Sequence, residues 1–125
     1  MIRLRGAAVD VVIDDSTGAP TIVHWGAPLG DDIDLPTVVA ALDRPVVVGA
    51  IDVVPPVSVV PEHAGGYSGR PGLAGRRPGG REWAPRFAPE RTTMEDGRVV
   101  VRAADPAAGL GLWTEIELGH TLSGR

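Results

Sequence analysis

The side chains able to do chemistry gather in two places. One is an acidic group, Asp31, Asp32 and Asp34; the other is a Gly-, Pro- and Arg-rich stretch from Pro61 to Arg91. That stretch carries Arg70, Arg76, Arg77, Arg81, Arg86 and Arg91, together with His63, Tyr67 and Trp83. Neighbouring acids most often decorate a solvated surface, and these three fall in an expected loop and helix cap. His24, His63 and His120 are too scattered for a His metal site, and the absence of Cys removes thiolate ligands and disulfides. Ser58, Ser68 and Ser123 lack the strand-turn-helix context of a nucleophile. Gly65 to Arg70 resembles a phosphate cradle only in its glycines, since no lysine and no helix pattern follow. No catalytic residue, metal site or cofactor is expected.

The arginines have two readings. Guanidinium groups bind phosphate and stack on bases, but Glu62, Glu82 and Glu90 are interleaved with them and the formal net charge is −4. The expectation is that Arg76, Arg77 and Arg86, with Leu73, satisfy loop carbonyls and bridge to a neighbouring domain or subunit. No nucleic-acid partner is expected. Trp83 lies between Arg81-Glu82 and Ala84-Pro85-Arg86, where an indole face can stack on a partner domain, or on a sugar while its neighbours bind hydroxyls. Trp25 and Trp113 are expected to cover a sheet or pack in a second layer.

The elements that must position these residues read as β-structure. Hydrophobic residues make up 43% of the 125 and aromatics only 4%, so any core is built from Val, Leu, Ile and Ala. Lys, Asn, Gln and Cys are all missing, a pattern of GC-biased coding, which weakens any argument from all-Arg basicity alone. Ala8 to Ile13 and Pro20 to Trp25 flank the turn residues Asp14 to Gly18 as a hairpin. Asp34 caps a short helix over about Leu35 to Leu42, with Pro36 tolerated in its first turn and Asp43-Arg44-Pro45 ending it. Val46 to Val60, broken by Gly49, Pro55 and Pro56, reads as short extended edge pieces.

A second hairpin follows, Thr92 to Glu95 and Arg98 to Ala104 around Asp96-Gly97. A further strand then places Leu110, Leu112, Thr114, Ile116 and Leu118 on one face. His120 to Arg125 continue the sheet without a closing partner, so the expectation is the front part of a longer protein. The first residues carry charges within their apolar run, unlike a secretory leader, and no run is long enough to span a membrane. The expected setting is cytoplasmic, with no membrane partner.

These elements together suggest a family. His24-Trp25-Gly26 at a strand end, the acidic loop with its helix, Pro61-Glu62, and Gly66-Tyr67-Ser68-Gly69-Arg70-Pro71-Gly72-Leu73 stand in sequence, followed by a second Trp-containing strand. Their order and spacing resemble the amino-terminal β-domain of glycoside hydrolase family 36, the α-galactosidases. The resemblance runs from about Ile2 to the end of the chain. It implies an all-β fold: an antiparallel β-sandwich, a supersandwich left incomplete, with one short helix and a long Arg/Gly/Pro-rich loop. It also implies that the two catalytic aspartates lie in a (β/α)8 barrel that these 125 residues do not contain.

In many members the corresponding loop has Asp-Phe before Arg and reaches a substrate cleft, sometimes that of a neighbouring subunit. Here Ser68-Gly69 stand in that place, so only Arg70, with Tyr67 and Trp83 beside it, is expected at a substrate. The chemistry agrees, because a retaining glycosidase needs two carboxyl groups roughly 5 Å apart, one kept protonated, and no such pair is apparent here. The expectation is one domain, 1–125, with loop 61–91 projecting toward a barrel domain or a neighbouring subunit. In this reading the α-galactoside is bound through the parent enzyme. A stand-alone β-sandwich module that binds carbohydrate or polyanion is the other reading.

Overall fold

The computed structural model describes residues 1–42 and 57–119. It contains two antiparallel three-stranded sheets and one short α-helix, an all-β, sandwich-like arrangement without a closed barrel. The first sheet holds β1 (Ile2–Arg5), β2 (Asp10–Asp14) and β3 (Thr21–Gly26), in that order. The second holds β4 (Ala88–Glu95), β5 (Arg98–Asp105) and β6 (Leu110–Glu117).

Alternation decides which face is buried. In β5, Val99, Val101, Ala103 and Asp105 point inward and are buried, while Arg98 and Arg102 are exposed. Val99 and Val101 meet Leu4, Val11 and Ile13 of the first sheet, and Ile2, Ile22, Ile116 and Leu118 pack around them. Aliphatic side chains of two sheets thus form a single core, as the composition requires.

The helix α1 (Leu35–Leu42) falls where Asp34 predicts it. The Asp34 carboxylate accepts from the Thr37 N–H at 3.2 Å and from the Thr37 hydroxyl at 2.5 Å, capping the free N-terminal donors. The turn between β4 and β5 has Asp96 at φ 50° and Gly97 at φ 76°, the primed geometry that matches strand twist.

Three expectations need correction. The first sheet has a third strand, β1, where the reading gave a hairpin; it pairs Ile2 to Arg5 with Ile13 to Asp10. β4 starts at Ala88, inside the stretch expected to be loop, because Pro89 needs no donor on an edge strand and a register shift between Pro89 and Arg91 absorbs the irregularity. The two strand tryptophans do not pack in a second layer: Trp25 is 72% and Trp113 60% exposed. The expected helix stop at Asp43, the extended pieces at 46–56 and the strand continuation at His120 to Arg125 lie outside the described residues.

Candidate functional site

The stretch from Pro61 to Phe87 is an ordered loop clamped at its base by two carboxylates. Glu62 Oε1 accepts from the Phe87 N–H at 3.1 Å, tying the two ends of the loop together. Asp105, at the inward-facing end of β5, accepts from the Arg86 N–H at 2.8 Å. Its other oxygen accepts from the N–H groups of Ala107 and Ala108, at 3.0 and 3.1 Å. Bonds from Arg86, Ala108 and Ala107 outweigh the opposing effect of burial and hold the Asp105 carboxyl below its ordinary pKa. The charged form is therefore part of the folded loop.

Packing reinforces the clamp. Gly18, in the β2–β3 turn, lies so close to Phe87 that an added Cβ would sit 2.2 Å from the Phe87 carbonyl oxygen. Phe87 is itself buried. Only a residue without a side chain lets the loop's end press onto the first sheet. On the other side, the Val59 N–H donates to the Pro20 carbonyl at 2.8 Å, securing the chain just before the loop begins.

Above this base the loop folds on itself. A 3-10 turn, His63–Gly65, closes through the Gly66 N–H and the His63 carbonyl, with Gly66 at φ 92°. The His63 ring nitrogen Nδ1 bonds the Tyr67 carbonyl at 2.8 Å. The His63 ring lies 5.6 Å from that of Trp83, tilted by 50°, a favourable aromatic geometry. Glu82, immediately before Trp83, has φ 50°, a left-handed conformation that a non-glycine residue adopts at a cost of about 1–3 kcal/mol. It turns the indole toward His63 while leaving Trp83 60% exposed. Pro61, His63, Pro71, Leu73, Trp83 and Phe87 then line a crevice of about 10 Å³, room for roughly one water. It is a shallow apolar seat beside an aromatic face, far below the several hundred Å³ of an enclosing small-molecule pocket.

The expected site residues divide into two groups. Arg77 and Arg86 hold the loop to its own chain: Arg77 Nη2 donates to the Ala108 carbonyl at 2.7 Å, and Arg86 Nη2 to the Ala64 carbonyl at 2.8 Å. Tyr67, Leu73 and Trp83 come together around His63 and the crevice. The side chains of Arg70 and Arg76 are exposed and make no hydrogen bond or ion pair within the described residues. The acidic cluster stands apart from all of these. Asp31 pairs with Arg5 at 2.6 Å on the surface, and Asp34 caps the helix. Among the described residues no group of three His, Cys, Asp or Glu side chains is placed to hold a metal ion.

Glu62, His63 and Asp105 were not anticipated as organising residues. Asp105 had a legible signal, since Asp105-Pro106-Ala107-Ala108-Gly109 is the signature of a turn in which the Asp side chain accepts from residues ahead of it. Its bond to Arg86 joins positions 19 apart and leaves no local trace.

No family model matches the chain, and no solved structure matches it. A curated protein does: an alpha-galactosidase of Escherichia coli, 31% identical over 114 residues. That match takes in 91% of this chain and 16% of the enzyme. The chain is similar to one part of an α-galactosidase. No helix among the described residues is long and apolar enough to cross a membrane.

Proposed function

We propose that this chain is the non-catalytic amino-terminal β-domain of an α-galactosidase-like enzyme of glycoside hydrolase family 36. The parent hydrolyses terminal α-galactosides with a pair of carboxylates in its barrel. These 125 residues support that barrel and the assembly of subunits, and bring the loop from Pro61 to Phe87 to the rim of the cleft. The observation that carries the reading is the extent of the similarity, 91% of this chain against 16% of the E. coli enzyme.

The loop's construction fits this role. Its base is fastened by Glu62, Asp105, Gly18 and Arg86, while Arg70, Arg76 and the face of Trp83 stay exposed. A pre-ordered arm with exposed donors loses little entropy on meeting a barrel, a neighbouring subunit or a sugar. In this reading Arg70, Tyr67 and Trp83 face the α-galactoside, and Leu73, Arg76, Arg77 and Arg86 lie toward the partner surface.

Reading the genomic locus beyond the codon for Arg125 tests the proposal. The expected result is coding sequence, in the same frame or the next one, for a barrel with two catalytic aspartates. An unrelated neighbour after a stop codon overturns it and favours a stand-alone module that binds carbohydrate or polyanion.

A further inference from the structure

The outer face of the second sheet carries a row that neither the core nor the loop uses. Strand register places Arg91 of β4 opposite Arg102 of β5, and Arg102 opposite Trp113 of β6. All three are exposed. Two guanidinium groups directly opposite each other on one sheet face repel. Neither has a carboxylate partner among the described residues, whereas Arg98, further along β5, is paired with Glu115 at 3.3 Å. The sheet therefore holds a like-charge pair that no ion pair among the described residues closes on.

At the end of this row the indole of Trp113 lies back over Gly111. A Cβ at Gly111 would come within 2.6 Å of the ring, so glycine leaves the place that the indole covers. The ring is seated on the strand, yet 60% of the residue remains exposed. Beside it, Ala88, Ala104 and Gly111 form the next row and give the face a shallow floor.

We infer that Arg91, Arg102 and Trp113 form a surface binding site for a short acidic saccharide, a uronic-acid sugar stacked on the indole with its carboxylate between the two guanidinium groups. The anion would relieve the Arg–Arg repulsion through charge-assisted hydrogen bonds, and the C–H face of the sugar ring would lie on the indole. The row spans three strands, about 10 Å at the usual strand spacing, so it accommodates a small ligand. Glu95, Glu115 and Glu117 share the same face. Their charges oppose the extended phosphate track that a nucleic acid needs. This site lies on the face of the second sheet, apart from the crevice around His63 and Trp83, and does not depend on the enzyme assignment.

The test is calorimetric titration of the full chain with digalacturonate, with neutral melibiose and a short oligothymidylate as comparison ligands. Digalacturonate is expected to bind, more weakly at higher salt, and melibiose and the oligonucleotide not to. Arg102→Ala and Trp113→Ala are each expected to weaken binding by about tenfold or more. Arg102→Ala is also expected to raise the melting temperature by removing the repulsion, a combination that a merely structural arginine does not give. Gly111→Ala keeps all three side chains but displaces the indole, and is expected to weaken binding as well. Should Trp113→Ala fail to fold, Arg102→Ala and Gly111→Ala decide the matter. No binding by the unaltered chain, equal binding of melibiose, tighter binding of the oligonucleotide, or unchanged affinity in Arg102→Ala and Gly111→Ala would each overturn the inference.

Discussion

Asp105 accepts three backbone N–H groups through one carboxylate, and its pKa is lowered by those bonds. Asp10 is similar: the Leu29 N–H, against the cost of burial, and then Arg3 bring its carboxyl below the ordinary value. A carboxylate with a depressed pKa takes up its proton more readily in the unfolded chain. Its contribution is complete above the unfolded value of about 3.9 and is lost as pH falls through the lower, folded value. Thermal melts followed by circular dichroism are therefore expected to show no loss from these two groups between pH 7 and 5, and a falling midpoint below about pH 4. Asp105→Asn is expected to melt earlier at neutral pH and to show a shallower acid decline, and a variant with the full acid decline would contradict the role assigned to Asp105. Arg70 belongs to the same scale. In the parent enzyme, Arg70→Ala is expected to raise KM for an α-galactoside by about tenfold with kcat little changed, the pattern of lost binding shared by ground and transition states. Steady-state kinetics read this directly; an unchanged KM would remove Arg70 from the substrate.

Elements were legible where the pattern is local. The helix followed from Asp34 and Pro36, the β4–β5 turn from Asp96-Gly97, and the inward face of β6 from Leu112, Thr114 and Ile116, with Leu118 just beyond its end, whereas Leu110 at its start is exposed. β1 is less legible: Ile2 and Leu4 alternate with Arg3 and Arg5, but four residues carrying two charges give only a short alternation. Arg3 in fact reaches Asp10, Gly30 and the Leu29 carbonyl. The clamp of the loop was not legible, since Glu62–Phe87 and Arg86–Asp105 join positions 25 and 19 apart. Nothing in local composition signals such a pair. The Gly18–Phe87 contact was equally silent, since Gly18 reads as an ordinary turn residue. It gives a sharp test, because any side chain there must push the loop off the first sheet. Gly18→Ala is expected to cost about 1–3 kcal/mol in denaturant unfolding, the usual penalty for overfilling a packed site. A change below about 0.5 kcal/mol, the size of an ordinary surface substitution, would show that the contact yields freely.

At the scale of the whole molecule, one aliphatic core joins two three-stranded sheets, and an arginine-bearing loop is fastened at its base with its aromatic face outward. Of the acidic cluster, Asp31 pairs with Arg5 and Asp34 caps the helix. In the proposed reading this domain positions and supports chemistry done elsewhere. Its similarity to a part, and not the whole, of an α-galactosidase points the same way. The most direct test is hydrolysis of a chromogenic α-galactoside by this chain alone, by the catalytic portion encoded with it, and by the two together. The account predicts no turnover by the chain alone, and more turnover from the pair than from the catalytic portion by itself. Turnover by the purified chain, or a catalytic portion indifferent to its presence, would contradict it.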